Sequence, residues 1–109
     1  MAKTITLNYK ENEYTLEFTR RTVRAMEENG FVISDISQKP VSGIPTLFAG
    51  AFLAHHRLVK PSVIEEIYEA LTKKEDFLEK LAEMYREPIE SLFDEPEESE
   101  GNATWGASW

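Results

Sequence analysis

Residues 40–56 read Pro-Val-Ser-Gly-Ile-Pro-Thr-Leu-Phe-Ala-Gly-Ala-Phe-Leu-Ala-His-His. This stretch contains no Asp, Glu, Lys or Arg, although these four residue types make up 29% of the chain. Pro45 predicts that a helix begins near Gly43, because proline is tolerated in a first helical turn, where its missing N–H is no loss. Apolar side chains cover most of the circumference of that helix, so it needs cover on nearly all sides. We therefore expect the central helix of a small domain, or a helix with one face left for a partner.

The largest side chains of this apolar helix have two alternative roles. Phe48 and Phe52 are four positions apart, and with Leu47 and Ala51 they either pack in a core or form a partner-binding surface. The second alternative arises because a helix this apolar needs more cover than so small a domain easily supplies. Gly50 leaves little side-chain bulk and would let another helix approach closely. A helix of about a dozen residues is too short to span a bilayer, which takes about 20.

The N-terminal region predicts a β-hairpin. Residues 4–9 and 14–18 each alternate apolar and polar side chains, which is typical of strands with one buried face. The short polar link between them predicts a hairpin turn, with Asn12 in the left-handed conformation. Because an isolated hairpin is marginally stable in water, we expect its apolar face to pack on helices.

The remaining signals mark the ends of further helices. Thr19 is a candidate cap for a helix that ends before Gly30. Capping-box patterns begin at Ser62 and at Thr72, and each is followed by apolar residues at helical spacing. Pro88 is expected to stop or kink the last helix. The predicted fold class is therefore α+β, mainly α, with an N-terminal hairpin packed on a bundle of about four helices.

The net charge of −8 is unevenly distributed along the chain. Residues 87–100 contain seven acidic and no basic residues, whereas residues 1–86 contain 13 acidic and 12 basic residues. This change in composition predicts a hairpin-plus-helices domain over residues 1–93 and a flexible acidic tail over residues 94–109. Because an acidic tail repels phosphate groups, nucleic acid is not an expected partner.

Two tryptophans lie at the end of the predicted tail. Trp105 and Trp109 are four positions apart among small residues, beyond the acidic segment. Tryptophan is enriched among the residues that anchor protein interfaces. The pair is either an unstructured end without a role or a short anchor that binds a partner or a neighbouring copy.

The sequence contains no pattern that predicts catalysis, a cofactor or a metal site. The chain has no cysteine, and His55 and His56 are adjacent, so on a helix their side chains point about 100° apart and do not chelate one ion. No glycine-rich phosphate loop or nucleophile-elbow motif occurs. We expect a protein that is not an enzyme, with no catalytic residues, no cofactor and no bound metal.

Four stretches together resemble a known family. They are residues 14–31 (YTLEFTRRTVRAMEENGF), 44–56 (IPTLFAGAFLAHH), 81–92 (LAEMYREPIESL) and 102–105 (NATW). Their order and spacing are similar to those of the tail assembly chaperones of long-tailed, siphovirus-type bacteriophages and prophages of Gram-positive bacteria. The chain would correspond to the short form, which is made without a ribosomal frameshift.

The resemblance implies a non-enzymatic assembly factor that acts in the host bacterial cytoplasm and is absent from the mature virion. Such a chaperone binds the tape measure protein and keeps its apolar helices soluble until the tail tube polymerises around it. A longer form, made by programmed frameshifting, would contact the tail tube protein. Homo-oligomerisation is a further expectation, because the apolar helix calls for extra cover.

An alternative of a different class remains open. A small acidic phage regulatory protein could bind a host protein through its tail, in which case residues 87–100 would hold the function. Both alternatives agree with the absence of a charged leader and of a long apolar run, which predicts an intracellular, soluble protein without a membrane partner.

Overall fold

A computed structural model describes residues 3–95, 101 and 103–109. A two-stranded antiparallel hairpin, β1 (Thr4–Tyr9) and β2 (Asn12–Glu17), precedes four α-helices. The helices are α1 (Arg20–Glu28), α2 (Pro40–Gly50), α3 (Pro61–Ala70) and α4 (Lys74–Glu90). Short 3-10 helices lie at Ile33–Ser37 and Ser91–Phe93. The predicted fold class, α+β and mainly α with an N-terminal hairpin, is confirmed.

The hairpin turn differs from the prediction in one residue. Asn12 is paired with Tyr9 as the first residue of β2, while Lys10 and Glu11 have positive φ values of 46° and 67°. Positive φ at both central positions is typical of the two-residue type I′ turn, whose twist matches that of the strands. The prediction that Asn12 is the left-handed residue is therefore wrong, whereas the apolar face is confirmed by the burial of Leu7 and Leu16.

Both ends of α1 form as predicted. The Thr19 hydroxyl accepts a hydrogen bond from the Thr22 amide at 3.1 Å, and the Thr22 hydroxyl accepts one from the Thr19 amide at 2.9 Å. At the other end Gly30 has a φ of +93°, and the Phe31 amide donates to the Met26 carbonyl. This Schellman arrangement satisfies carbonyls that the last helical turn leaves free.

Helix α2 begins earlier and ends earlier than predicted. Pro40 rather than Pro45 occupies the first turn, and the Gly43 amide donates to the Lys39 carbonyl at 2.8 Å. Pro45 lies inside the helix, where it removes the bond to the carbonyl four residues before it. After Gly50 the chain continues in turns to residue 55.

The predicted caps of the last two helices are wrong. Pro61 opens α3, so Ser62 lies inside the helix, and Lys60 occupies the cap position without a side-chain hydrogen bond. Lys73, with a φ of +53°, precedes α4 in place of Thr72. Helix α4 also continues through Pro88 to Glu90.

The segment after α2 covers the outer edge of the hairpin. The Glu17 amide donates to the Ala51 carbonyl at 3.1 Å, and the Thr15 amide donates to Nε2 of His56 at 2.9 Å. These bonds satisfy amides of β2 that face away from β1, because the backbone groups of alternate residues point to opposite edges of a strand. They hold the end of α2 against the sheet.

One apolar core joins the hairpin to all four helices. Its buried side chains are Leu7, Leu16, Phe18, Val23, Met26, Leu47, Phe48, Ala51, Phe52, Ile64, Ile67, Leu81, Met84 and Tyr85. Arg20 ties the start of α1 to the C-terminal 3-10 helix, since its Nη2 donates to the Ser91 carbonyl at 2.6 Å.

The predicted division at residue 93 coincides with the end of the last 3-10 helix. Residues 94, 95, 101 and 103–109 have neither helix nor strand. The prediction of a flexible tail also covers residues 96–100 and 102, which lie outside the described residues.

Candidate functional site

The structure places the four helical residues predicted to bind a partner in the core. Leu47, Phe48, Ala51 and Phe52 are between 0% and 2% exposed. Phe52 packs edge-on against Tyr14 of the hairpin at 5.7 Å between ring centroids. Of the two alternative roles, core packing is the one that the structure shows. In the structure these four side chains do not form an exposed surface, because the hairpin and the other helices cover them.

A different face of α2 lies open. It borders a groove of about 850 Å³ between the C-terminal end of α1, α2 and α3. The residues of α2 and its following turn that line this groove are Pro40, Val41, Ile44, Pro45, Thr46, Phe48, Ala49, Gly50 and Leu53. Among them Val41 is 89% exposed and Leu53 is 37% exposed. The groove is therefore an apolar surface that no part of the described chain covers.

The spacing of residues along α2 explains why it has two apolar faces. Val41, Pro45 and Ala49 repeat every four residues, so they share one side of the helix.

 Ala49 lines the groove as part of this row, and the neighbouring Phe48 also lines the groove although its side chain is buried. The opposite side holds Leu47 and Ala51, which are buried. One side of the helix thus supports the fold, and the other side lines the groove.

The base of the groove depends on a close contact between α1 and α2. A Cβ atom built on Gly50 would lie 2.5 Å from both Sδ and Cε of Met26. The absence of a side chain at Gly50 therefore lets Met26 pack at the junction of the two helices, as the small-residue stretch predicts. Ile64 of α3 is also buried and lines the groove from the other helix.

The rim of the groove is polar and partly acidic. Asn29 lies at the end of α1, Thr46 lies on α2, and Glu65 and Glu69 are exposed on α3. Tyr68 packs edge-on against Phe48 at 5.3 Å, and burial, followed by the charge of Glu69, raises the pKa of Tyr68. An apolar base with a few polar groups at its edge is typical of a binding surface.

The two histidines have structural partners. Nε2 of His55 lies 2.7 Å from a carboxylate oxygen of Glu17, and Nε2 of His56 accepts a hydrogen bond from the Thr15 amide. Their ring centroids are 6.4 Å apart. Among the residues that the structure describes, no group of three or more His, Cys, Asp or Glu side chains could hold a metal ion.

The two predicted anchors in the C-terminal segment are exposed. Trp105 is 88% exposed and Trp109 is 103% exposed. Other large apolar side chains at the surface include Leu58, at 96%, and Phe93, at 83%. The structure therefore does not bring the tryptophans together with the four buried residues of the α2 region.

Of the α2 residues that line the groove, the sequence predicts only Phe48 as a partner-binding residue. The helix was predicted to begin near Gly43, which left Val41 outside it and hid the row formed by Val41, Pro45 and Ala49. The signal was present in Pro40, because proline is common at the first helical position. A helix that begins at Pro40 includes Val41, so the four-residue spacing of Val41, Pro45 and Ala49 indicates the second apolar face.

Within residues 3–95, 101 and 103–109, none of the helices is both long enough and apolar enough to cross a membrane. A family model described as a domain of unknown function (DUF5055) matches residues 1–109. No curated protein and no solved structure matches the chain.

Proposed function

Because the chain belongs to the DUF5055 family, whose description names no activity, we propose a function from the surface that the fold leaves open. The protein is a non-enzymatic assembly chaperone that binds an apolar stripe of a helical client in the groove between α1, α2 and α3. On the basis of the resemblance to phage tail assembly chaperones, the client that we propose is the tape measure protein.

The observation that supports this proposal is the open apolar face of α2. An α-helix with its side chains is about 10–12 Å wide, and helices commonly bind in apolar grooves through side chains at i, i+3, i+4 and i+7. Val41, Ala49 and Leu53 lie along one side of the groove, and Ile64 lies on the other. A client helix could therefore bury its apolar stripe against two walls of the groove.

The expected affinity of one groove is modest. Full burial of a Leu or Phe side chain contributes about 1.5–3 kcal/mol, and association costs at least about 4 kcal/mol in lost freedom of motion. Two or three client side chains in the groove would thus give weak binding at a single site. Many copies along one long client would cover it effectively, as repeated weak contacts do when they are linked.

The remaining parts of the proposal come from the same resemblance. The protein would act in the host bacterial cytoplasm and leave before the virion is complete. A longer frameshifted form would bring the tail tube protein to the client. The acidic segment would help to keep the crowded complex in solution, because net negative charge favours solubility.

Co-expression tests the proposal. The chain is produced together with the tape measure protein of the same phage genome, and the soluble fraction of the tape measure protein is measured. We expect the wild-type chain to raise that fraction and to co-purify with it. The proposal fails if the tape measure protein stays insoluble and no complex is recovered.

Two variants make the test specific for the groove. Val41→Asp places a carboxylate on the open face of α2, and Leu58→Asp makes the same kind of change at an exposed residue outside the groove. We expect the first variant to lose the client and the second to retain it. A chain shortened to residues 1–93 should also retain the client, whereas a regulator acting through its acidic tail would lose its partner.

A further inference from the structure

The C-terminal segment combines exposed apolar side chains with an absence of charge. Trp105 and Trp109 are the two tryptophans of the chain, and residues 101–109 contain no acidic or basic side chain. Both indoles are almost fully exposed. Large aromatic side chains lose little conformational entropy on binding and bury a large area, so such a segment is suited to an apolar groove.

The groove lies within reach of this segment. The Arg20 guanidinium binds the Ser91 carbonyl, which places the end of the folded body beside the first residue of α1. The groove begins at Ala25, five residues after Arg20 in α1, which is about 8 Å further along at a rise of about 1.5 Å per residue. The chain from Phe93 to Trp105 spans at most about 40 Å when fully extended.

The chemistry of the rim selects the tryptophan segment over the acidic one. Glu65 and Glu69 repel the carboxylates of residues 94–100, while they can accept hydrogen bonds from indole N–H groups, which are donors only. The helical part of the groove wall, from Val41 to Gly50, is about 14 Å long at a rise of about 1.5 Å per residue, so it accommodates two indoles that are four residues apart. The apolar base therefore suits the two indoles, and the acidic rim disfavours the carboxylate side chains of residues 94–100.

We propose that the free protein exchanges between an open state and a state in which Trp105 and Trp109 bind in the groove of their own chain. The structure shows the open state, in which the groove is uncovered and both indoles are exposed. Docking would cover the open face of α2 and limit association between copies through that face. That a client then displaces the segment rests on the proposed function, whereas the docking itself does not.

Binding within one chain is favoured over binding between copies by effective concentration. A short connection holds the segment near its own groove at a concentration in the millimolar range, which is far above usual protein concentrations. At usual protein concentrations, a weak contact of this kind would therefore form within one chain and not between two chains.

Intrinsic fluorescence tests this proposal without a label, because both tryptophans lie in the segment. Quenching by acrylamide is measured for the full chain in wild-type form, with Val41→Asp and with Leu58→Asp. If half or more of the segments are docked, quenching of the wild type should be lower than that of Val41→Asp by about twofold or more. Leu58→Asp should behave as the wild type does, and circular dichroism checks that all three chains are folded.

The results separate docking in the same chain from the other outcomes. Protection that is unchanged by about a hundredfold dilution supports the proposal, and protection that disappears on dilution shows that a second copy is the occupant and overturns it. Equal quenching in all three chains also overturns it. If the tryptophans are protected but the chain does not bind the tape measure protein, this proposal stands and the proposed function is refuted.

Discussion

Replacing His56 with phenylalanine tests how the end of α2 is held against the hairpin. His56 accepts the Thr15 amide at 2.9 Å and packs edge-on against Tyr14 at 5.2 Å between ring centroids. His56→Phe keeps an aromatic ring but removes the acceptor, and a buried donor without a partner costs about 1–3 kcal/mol. Because the site is only partly buried, we expect a loss of about 1–2 kcal/mol.

Thermal unfolding followed by circular dichroism measures this loss. In a domain of about 60–100 residues, 1 kcal/mol corresponds to a change in Tm of about 4–8 °C. Amide hydrogen exchange by NMR adds a local measurement, since the Thr15 amide should lose protection while the Glu17 amide, which binds the Ala51 carbonyl, keeps it. His56→Gln should recover part of the loss, because its side-chain oxygen can accept a hydrogen bond.

The neighbouring histidine supplies the control. His55 binds a Glu17 carboxylate and is 44% exposed, and exposed pairs of this kind contribute at most about 1 kcal/mol. His55→Phe should therefore lower Tm less than His56→Phe. An unchanged Tm for His56→Phe together with unchanged exchange at Thr15 would refute the assigned role of this hydrogen bond.

Two further predictions follow from the core and from the contact between the hairpin and α3. Phe52→Asp should unfold the chain, because an unpaired charge in the core costs several kcal/mol, and a native circular dichroism spectrum would show that Phe52 is not a core residue. The hydrogen bond from Tyr9, and to a smaller extent that from Lys10, lowers the pKa of Glu66. These bonds therefore stabilise the folded chain above the ordinary pKa of a glutamate, and this contribution is lost as the pH falls through the lowered pKa. Urea unfolding should thus show that the advantage of the wild type over Glu66→Gln shrinks on acidification, and an advantage independent of pH would contradict the assignment.

Local signals were sufficient for the hairpin and for α1. The alternation of residues in the two strands fixes which side chains are buried, and the bonds at Thr19 and Gly30 involve only neighbours in sequence. The predicted caps at Ser62 and Thr72 are wrong because the same pattern of residue types also occurs near helices that start at a different residue. Helix α3 starts at Pro61, two residues earlier than a cap at Ser62 requires.

Predicting the open face of α2 requires information from distant parts of the chain. The sequence indicates a helix that is apolar on nearly all sides, but it does not say which side the rest of the fold covers. Tyr14 of the hairpin packs on Phe52, and Phe77 of α4 packs on Phe48. These long-range contacts use the largest side chains for the core, so the open face consists of smaller residues such as Val41 and Ala49.

Methyl NMR during titration with a client helix measures most directly whether the groove is the binding surface. The probe is a peptide that spans one apolar helical stripe of the tape measure protein, added to the chain with labelled Val, Ile and Leu methyl groups. The account predicts that the signals of Val41, Ile44 and Leu53 shift, while that of Leu58 does not. Shifts confined to Leu58 or to other residues outside the groove, with these three signals unchanged, would contradict it.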